Sequence, residues 1–469
     1  MHASTSDVAR PGAHAKGHLL RILGVGFGIA VIVGSVIGSG ILLTPGDVAA
    51  HLRNPWIVFA AWSMGGAFAF FCTQSVSELG TMLPRAGGWF VYSRRAFGEY
   101  GGFLVGCCDW MAQSAATAYL GAAFGEFAAE FEPALRGHVK LVSAGCLLAM
   151  TLLNWVGLRA GSRAQEITSL AKALALAAFV VACFLVSPKA ATTSVTALPS
   201  LLQLPPLAIL IAVIVALQSI IATYDGWYSA IYFAEEDEDP ARNLPRASII
   251  GVLACGAIFL LVNAALLHVL SIGALAASQM PAADAAGLIF GGYGRQVILI
   301  VSLVTVISTI NATLLVSSRI LFGMARDGLM PGWITSINSG GTPSAALFLS
   351  AAVSIALALS GSFQTILAIT AILYVAVYLS GFISLFVLRV REPGLPRPFK
   401  MWGYPWTNLG ITLGAAGFLV AAVIADLKHA LFTVITIALT YPLYLLTKSM
   451  HRSQDAGPTA IPLPLNSED

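Results

Sequence analysis

Apolar stretches of about 20 residues recur along the whole chain, and about 20 is the number a helix needs to cross roughly 30 Å of hydrocarbon. In lipid every backbone N–H and C=O must find its partner within the chain, so repeated stretches of this kind have to be helices. Charge content agrees. Only 10% of the 469 residues are Asp, Glu, Lys or Arg, against about 25% in a soluble domain. A water-soluble fold of this length could not cover its surface with so few. The expectation is an all-α membrane protein with a lipid bilayer as its solvent.

The apolar runs place about twelve transmembrane helices, at 22–49, 55–82, 100–131, 139–156, 166–186, 206–234, 246–270, 295–324, 344–359, 363–390, 407–425 and 427–446. With the N-terminus inside, 18 of the 25 Lys and Arg fall on inner segments. Six fall on outer ones (Arg53, Arg136, Lys140, Lys189, Arg295 and Lys428), and Lys172 lies within a span. This split follows the positive-inside rule with both termini cytoplasmic in the cell inner (plasma) membrane. It requires an even number of crossings, which favours twelve over eleven.

The polar residues 1–17 read as a disordered cytosolic arm, the transporter domain taking over after residue 20 and running to 447. The segment after 448 reads as a cytosolic tail, unfolded from 451 to 469. The first apolar run is too long for a signal peptide and is kept as a span. Between the seventh and eighth spans, 271–294 reads as one short helix lying over the outer face. The six cysteines sit in apolar runs without ligand spacing, and the eight histidines form no metal motif. Nothing in the sequence points to a metal, a cofactor or nucleic acid.

Two spans have a composition that a continuous helix tolerates poorly. The first contains Gly34-Ser35-Val36-Ile37-Gly38-Ser39-Gly40-Ile41 at mid-membrane. Small residues also serve close helix packing, and Gly410 with Gly414 reads that way. In the first span, however, Gly38 and Gly40 flank a serine, which favours unwinding. The amides so freed, at the positive end of the following half-helix, suit a carboxylate. Five spans later, Ala222-Thr223-Tyr224-Asp225-Gly226-Trp227 sets an acid and a glycine at the corresponding depth, where freed carbonyls suit an ammonium group. Paired interruptions in matching positions point to a transporter's central site. The ligand this geometry suits carries both groups on one carbon, as an α-amino acid does.

At these residues the chain resembles the amino acid–polyamine–organocation transporter superfamily, nearest to the L-type amino acid transporter branch and its bacterial relatives. The resemblance extends through Glu78-Leu79-Gly80-Thr81-Met82-Leu83-Pro84-Arg85-Ala86-Gly87-Gly88, Glu235-Glu236, and Pro240-Ala241-Arg242-Asn243-Leu244-Pro245-Arg246-Ala247. It continues in Ser317-Ser318-Arg319, Ala325-Arg326-Asp327-Gly328-Leu329-Met330-Pro331, Arg391-Glu392-Pro393 and Gly403-Tyr404-Pro405. It implies two inverted five-helix repeats, at 21–188 and 205–391, with broken first and sixth helices, plus two extra helices at 406–447. Carried over by position, the substrate carboxylate meets the amides of Gly38, Ser39 and Gly40 and the Ser39 hydroxyl. The amine meets the carbonyls of Val36, Ile37, Ala222, Thr223 and Asp225.

Lys172 is costly at a helix centre, roughly 2.5–3.5 kcal/mol on insertion scales, unless it faces a partner or snorkels to the interface. The stretch Glu166–Lys172 resembles a segment of related transporters in which a fifth-span lysine lies beside the unwound first span. Sodium-driven relatives hold a cation there. The resemblance implies that the Lys172 ammonium replaces sodium, bonding first-span carbonyls together with Ser308 of the eighth span. Asp225 reads either as a polar partner of the amine site or as a half-helix cap, and Asp109 as structural. The run Glu235–Asp239 reads as a solvated inner loop, with a gating contact to inner arginines as the alternative.

Two departures matter. Many relatives carry a bulky aromatic residue, which closes the site from outside, where this chain has Ala222. The segment 132–139 lacks the cysteine that tethers a partner glycoprotein in human-type members, so no disulfide-linked partner subunit is expected. A monomer is the working expectation, with oligomeric state left open. The resulting expectation is sodium-independent transport of a neutral amino acid by alternating access, as exchanger or proton-coupled carrier. A cationic amino acid or polyamine is the alternative substrate. A membrane enzyme would need a catalytic cluster, and none is visible. A channel would need a ring of filter residues rather than paired broken helices.

Overall fold

The computed structural model describes residues 19–185, 201–203, 205–360, 363–425 and 427–455. The expected arm at 1–17 and the last part of the expected tail lie outside these residues. The helices are α1 (Val25–Val36), α2 (Gly40–Leu52), α3 (Pro55–Met82), α4 (Trp89–Phe131), α5 (Val139–Val156), α6 (Leu158–Leu185), α7 (Pro206–Thr223) and α8 (Pro240–Val269). They continue as α9 (Ile272–Ala277), α10 (Pro281–Phe290), α11 (Gly294–Arg326), α12 (Ser344–Ser360), α13 (Phe363–Arg391), α14 (Trp406–Ala425) and α15 (Leu427–Asp455). Among the described residues there is no sheet, only two isolated β-bridges. Among the described residues, eight helices are long and apolar enough to cross a membrane, or nine with α1 and α2 taken as one span bent by 48°. The fold is all-α, as composition requires.

Several helices are longer than their apolar runs. α4 starts at Trp89 rather than 100, its two runs joined at Gly98 (φ 87°). α6 starts at Leu158 rather than 166, and α8 at Pro240 rather than 246. α15 reaches Asp455, past the expected start of the unfolded tail at 451. In each case the extra turns carry charge (Arg94 and Arg95, Arg159 and Arg163, Arg242). A helix need not stop where the hydrocarbon stops, so apolarity alone truncates it. The segment 271–294 forms two short helices, α9 and α10, not one, because Pro281 opens a new helix after the Ser278–Met280 turn. α3 starts sharply, with the Asn54 side chain accepting from Trp56 N at 2.9 Å and Pro55 in the first turn.

α11 is the central post: every residue from Ser308 to Ala325 is buried. α14 and α15 lie at the edge, with Leu413, Ile424, Leu427 and Leu439 exposed. Both expected interruptions occur. α1 stops at Val36, where Ile37 leaves helical geometry (φ −78°, ψ 85°), and α2 resumes after Ser39. α7 stops at Thr223, and the chain passes through turns and a short 3-10 segment, Ser229–Phe233, before α8. Gly226 lets the two interruptions touch. Its φ is 106°, and a Cβ there would lie 2.6 Å from Ser35 Cβ and 3.0 Å from Val36 N.

The segment before α1 is stitched to the one before α8. Ile22 N and Leu23 N donate to Glu236 O at 3.0 Å each, and Glu238 N donates to Leu23 O at 2.9 Å. Leu23 and Asp237 thereby form a parallel β-bridge. Burial pushes the Asp237 carboxyl above its usual range, against the opposing hydrogen bonds from Asn243 and the Asp239 amide.

Candidate functional site

A cavity of about 520 Å³ opens where the two interruptions meet. From the first, Val36, Gly38, Ser39 and Gly40 line it, and from the second Ala222, Thr223 and Asp225. Gln113 and Tyr119 of α4, Thr309 and Thr313 of α11, and Tyr374 and Tyr378 of α13 complete its walls. Ile37 is not among the lining residues. The Gly38 amide is already donated to Val36 O at 2.9 Å. The Ser39 and Gly40 amides stand at the start of α2, where helix N–H groups lack intrahelical acceptors and the dipole is positive.

The Ile37 carbonyl is engaged behind the cavity. Lys172 of α6 is fully buried, and its Nζ donates to Gly34 O at 2.7 Å and to Ile37 O at 2.8 Å. These are charge-assisted bonds to carbonyls released by the end of α1. Ser308 sits differently from expectation: its hydroxyl lies 3.3 Å from Ser169 Oγ and accepts from Gln165 Nε2 at 3.4 Å. The next residue, Thr309, is the one that donates to Gly34 O, at 3.1 Å. One residue along a helix is a rotation of about 100°, so the phase of α11 decides which hydroxyl faces α1. Ser169 Oγ also donates to Ala30 O at 2.7 Å. Gly34 has no room for a side chain, since a Cβ would fall 1.7 Å from Gln165 Nε2.

An aromatic floor, which the sequence reasoning missed, underlies the cavity. Trp227 and Phe382 stack at 6.0 Å between centroids, Tyr228 meets Tyr378 at 5.1 Å, and Trp89 packs against Trp227 at 6.0 Å. The signal was legible in the i, i+4, i+8 spacing of Tyr374, Tyr378 and Phe382, which puts all three on one face of a helix. Asp225 Oδ1 accepts from the Tyr378 hydroxyl at 2.5 Å. Gln113 Nε2 donates to Tyr228 OH at 3.3 Å. Below, the buried Asp109 accepts from Tyr232 OH at 2.8 Å through Oδ2.

Beneath the floor is a layer of ion pairs, which corrects the reading of Glu235–Asp239 as a solvated loop. Glu236 and Arg319 are both 0% exposed and pair through two bonds, Nε–Oε2 at 3.1 Å and Nη2–Oε1 at 2.9 Å. Glu235 accepts from Arg326 Nη1 at 2.6 and 2.8 Å and from Ala86 N at 2.8 Å. Asp327 takes Arg85 at 2.7 Å and also Arg94. A run of acids normally faces water, but the 3-10 segment folds this one under the bundle, onto the arginines of α11. Pairing then offsets the cost of burying the charge. In the other direction the cavity lining continues through Leu43, Thr44 and Ser219, and Leu43 and Ala222 are exposed. The cavity is therefore closed toward Glu236 and accessible from the opposite end, where the Ser219 hydroxyl donates to Asp47 Oδ2 at 2.7 Å, with no aromatic side chain at position 222.

The sequence matches the amino acid permease family over residues 28–444. The serine/threonine exchanger SteT of Bacillus subtilis is 26% identical, over 87% of this chain and 92% of its own length. Asc-type amino acid transporter 1 of Mus musculus is 27% identical over 82% of this chain and 73% of its own. The human large neutral amino acids transporter small subunit 2 is 26% identical, over 82% and 72% respectively. With its all-helical fold and broken first span, this chain belongs to the amino acid permease family.

Proposed function

We propose that the chain is a sodium-independent carrier of neutral α-amino acids that works by alternating access, as an exchanger or proton-coupled carrier. The observation that carries this reading is the meeting of the α1–α2 break and the end of α7 on one cavity. The substrate carboxylate is received by the Ser39 and Gly40 amides and the Ser39 hydroxyl. The amine is received by the carbonyls of Val36, Ala222, Thr223 and Asp225. Ile37 is assigned to Lys172 instead, whose ammonium occupies the place of a coupling cation beside the broken helix. Relatives named as a serine/threonine exchanger and as neutral amino acid transporters favour both the exchange and the substrate class.

The chain is read as crossing the plasma membrane twelve times, with repeats at 21–188 and 205–391 and helices 406–447 added. The Glu236 end then faces the cytoplasm with both termini, and the cavity as described faces outward. No cysteine stands in 132–139 to tether a partner subunit, and the carrier is read as working as a single chain. A cationic substrate is the second reading, favoured by Asp225 as the one acid among the described lining residues.

A thermal-shift screen against the twenty amino acids in sodium-free buffer tests the proposal. A ligand at 100 times its Kd stabilises the folded state by about 2.7 kcal/mol, so a few related neutral amino acids should raise the midpoint. Stable protein that shows no shift with or without sodium would remove the reading.

A further inference from the structure

The arginines at the Glu236 end differ in their partners, and Arg21 and Arg391 bond backbone carbonyls. Arg85, Arg94, Arg95, Arg319, Arg326 and Arg389 all have carboxylate partners. Arg159 and Arg163 of α6 and Arg246 of α8 are exposed, and among the described residues their side chains have no hydrogen bond or ion pair. Arg242, one turn before Arg246, is exposed and has only a 3.8 Å contact to Asp239.

The helix register brings these residues to one level. α6 and α8 run side by side in the same direction: Cys255 lies beside Lys172, and Phe184 meets His268 at 5.1 Å between rings. Arg163 and Arg246 each lie nine residues before the Lys172–Cys255 level, about 14 Å along the helices. Arg159 and Arg242 lie one further turn out. Each helix thus carries an i, i+4 arginine pair at the same depth, on a face otherwise occupied by exposed apolar side chains: Ile167, Leu170 and Leu174 on α6, Ile250 and Leu253 on α8. The acids near these arginines are Glu166 on α6 and Glu238 and Asp239 just before α8; three carboxylates leave the four arginines with an excess positive charge, which lies nearest Arg163 and Arg246.

We propose that the α6–α8 groove binds the headgroup of an anionic phospholipid. The phosphate sits between Arg163 and Arg246, and the acyl chains lie along Leu170, Leu174 and Leu253. The apolar face selects a lipid over a free anion, because a soluble phosphate would leave it uncovered. Both helices pack against α1, so the lipid braces the helix that carries the break.

Native mass spectrometry of the full chain, titrated with phosphatidylglycerol or phosphatidylcholine, tests the assignment. Wild type should retain phosphatidylglycerol adducts preferentially. R163Q/R246Q should lose about thirtyfold in that affinity, while R163K/R246K keeps most of it. R95Q, which removes an arginine already paired with Glu392, should leave it unchanged. Undiminished phosphatidylglycerol binding in R163Q/R246Q would overturn the proposal. So would an equal loss in R95Q, or displacement of the lipid by inorganic phosphate alone.

Discussion

Glu236→Gln removes one partner of an ion pair in which both side chains are 0% exposed. The guanidinium left behind keeps only Leu315 O at 3.3 Å and Ser318 Oγ at 3.0 Å as acceptors besides the new amide. Breaking a buried pair from one side costs about 3–5 kcal/mol. That cost falls on the conformation closed at the Glu236 end, because opening that end hydrates Arg319. The balance should therefore move toward the open form by roughly 10²- to 5 × 10³-fold. Ala234, 1% exposed just above the pair, can report this as Ala234→Cys in a background lacking the native cysteines. A membrane-impermeant maleimide applied from the Glu236 side should label it far faster in Glu236→Gln than in the parent. Glu236→Gln with Arg319→Met removes the stranded charge and should return labelling toward the parent rate. Unchanged labelling in folded, inserted Glu236→Gln protein would refute the assignment of this pair as a closing element.

Three further outcomes follow from the site. Lys172→Ala deletes both bonds to the α1 carbonyls and should abolish most amino acid uptake in proteoliposomes while leaving membrane insertion intact, as surface labelling can check. Gly226→Ala forces a side chain into a φ of 106° against Ser35; a loss of about 1–3 kcal/mol should appear as a lowered melting temperature together with lost uptake. Tyr378→Phe removes the 2.5 Å hydrogen bond to Asp225. It should raise the apparent KM for uptake, at a cost of about 1–3 kcal/mol, with expression unchanged.

The interruptions were legible because they are written in local composition. Three glycines in seven residues cannot hold a helix against its alternatives, and Asp225-Gly226 marks the second break. The assignment of Lys172 to the first span came from similarity to known transporters, since nothing in the spacing of residues 34 and 172 says that they meet. Phase was beyond reach: Thr309 rather than Ser308 faces Gly34, and only the packing of α11 decides it. Burial of charge was legible only as the alternative reading of the acidic run, a contact to inner arginines, without the partners being named. Glu235 and Glu236 belong to a run of five acids, and the partners that bring the two inside, Arg326 and Arg319, lie more than 80 residues away. Helix ends were misjudged where charged turns continue a helix past the apolar run, at Trp89, Leu158 and Pro240.

The backbone pairing of Leu23 with Asp237 has a mechanical consequence. It joins the lead-in of the first broken span to the tail of the second with three N–H···O bonds. The two segments beneath the cavity are therefore one hinged leaf rather than two independent flaps. A swing of either drags the other, or else all three bonds part together. Any opening of the passage on this side therefore has to carry both segments or give up the three bonds, so that the Leu23–Asp237 bridge couples the two broken spans.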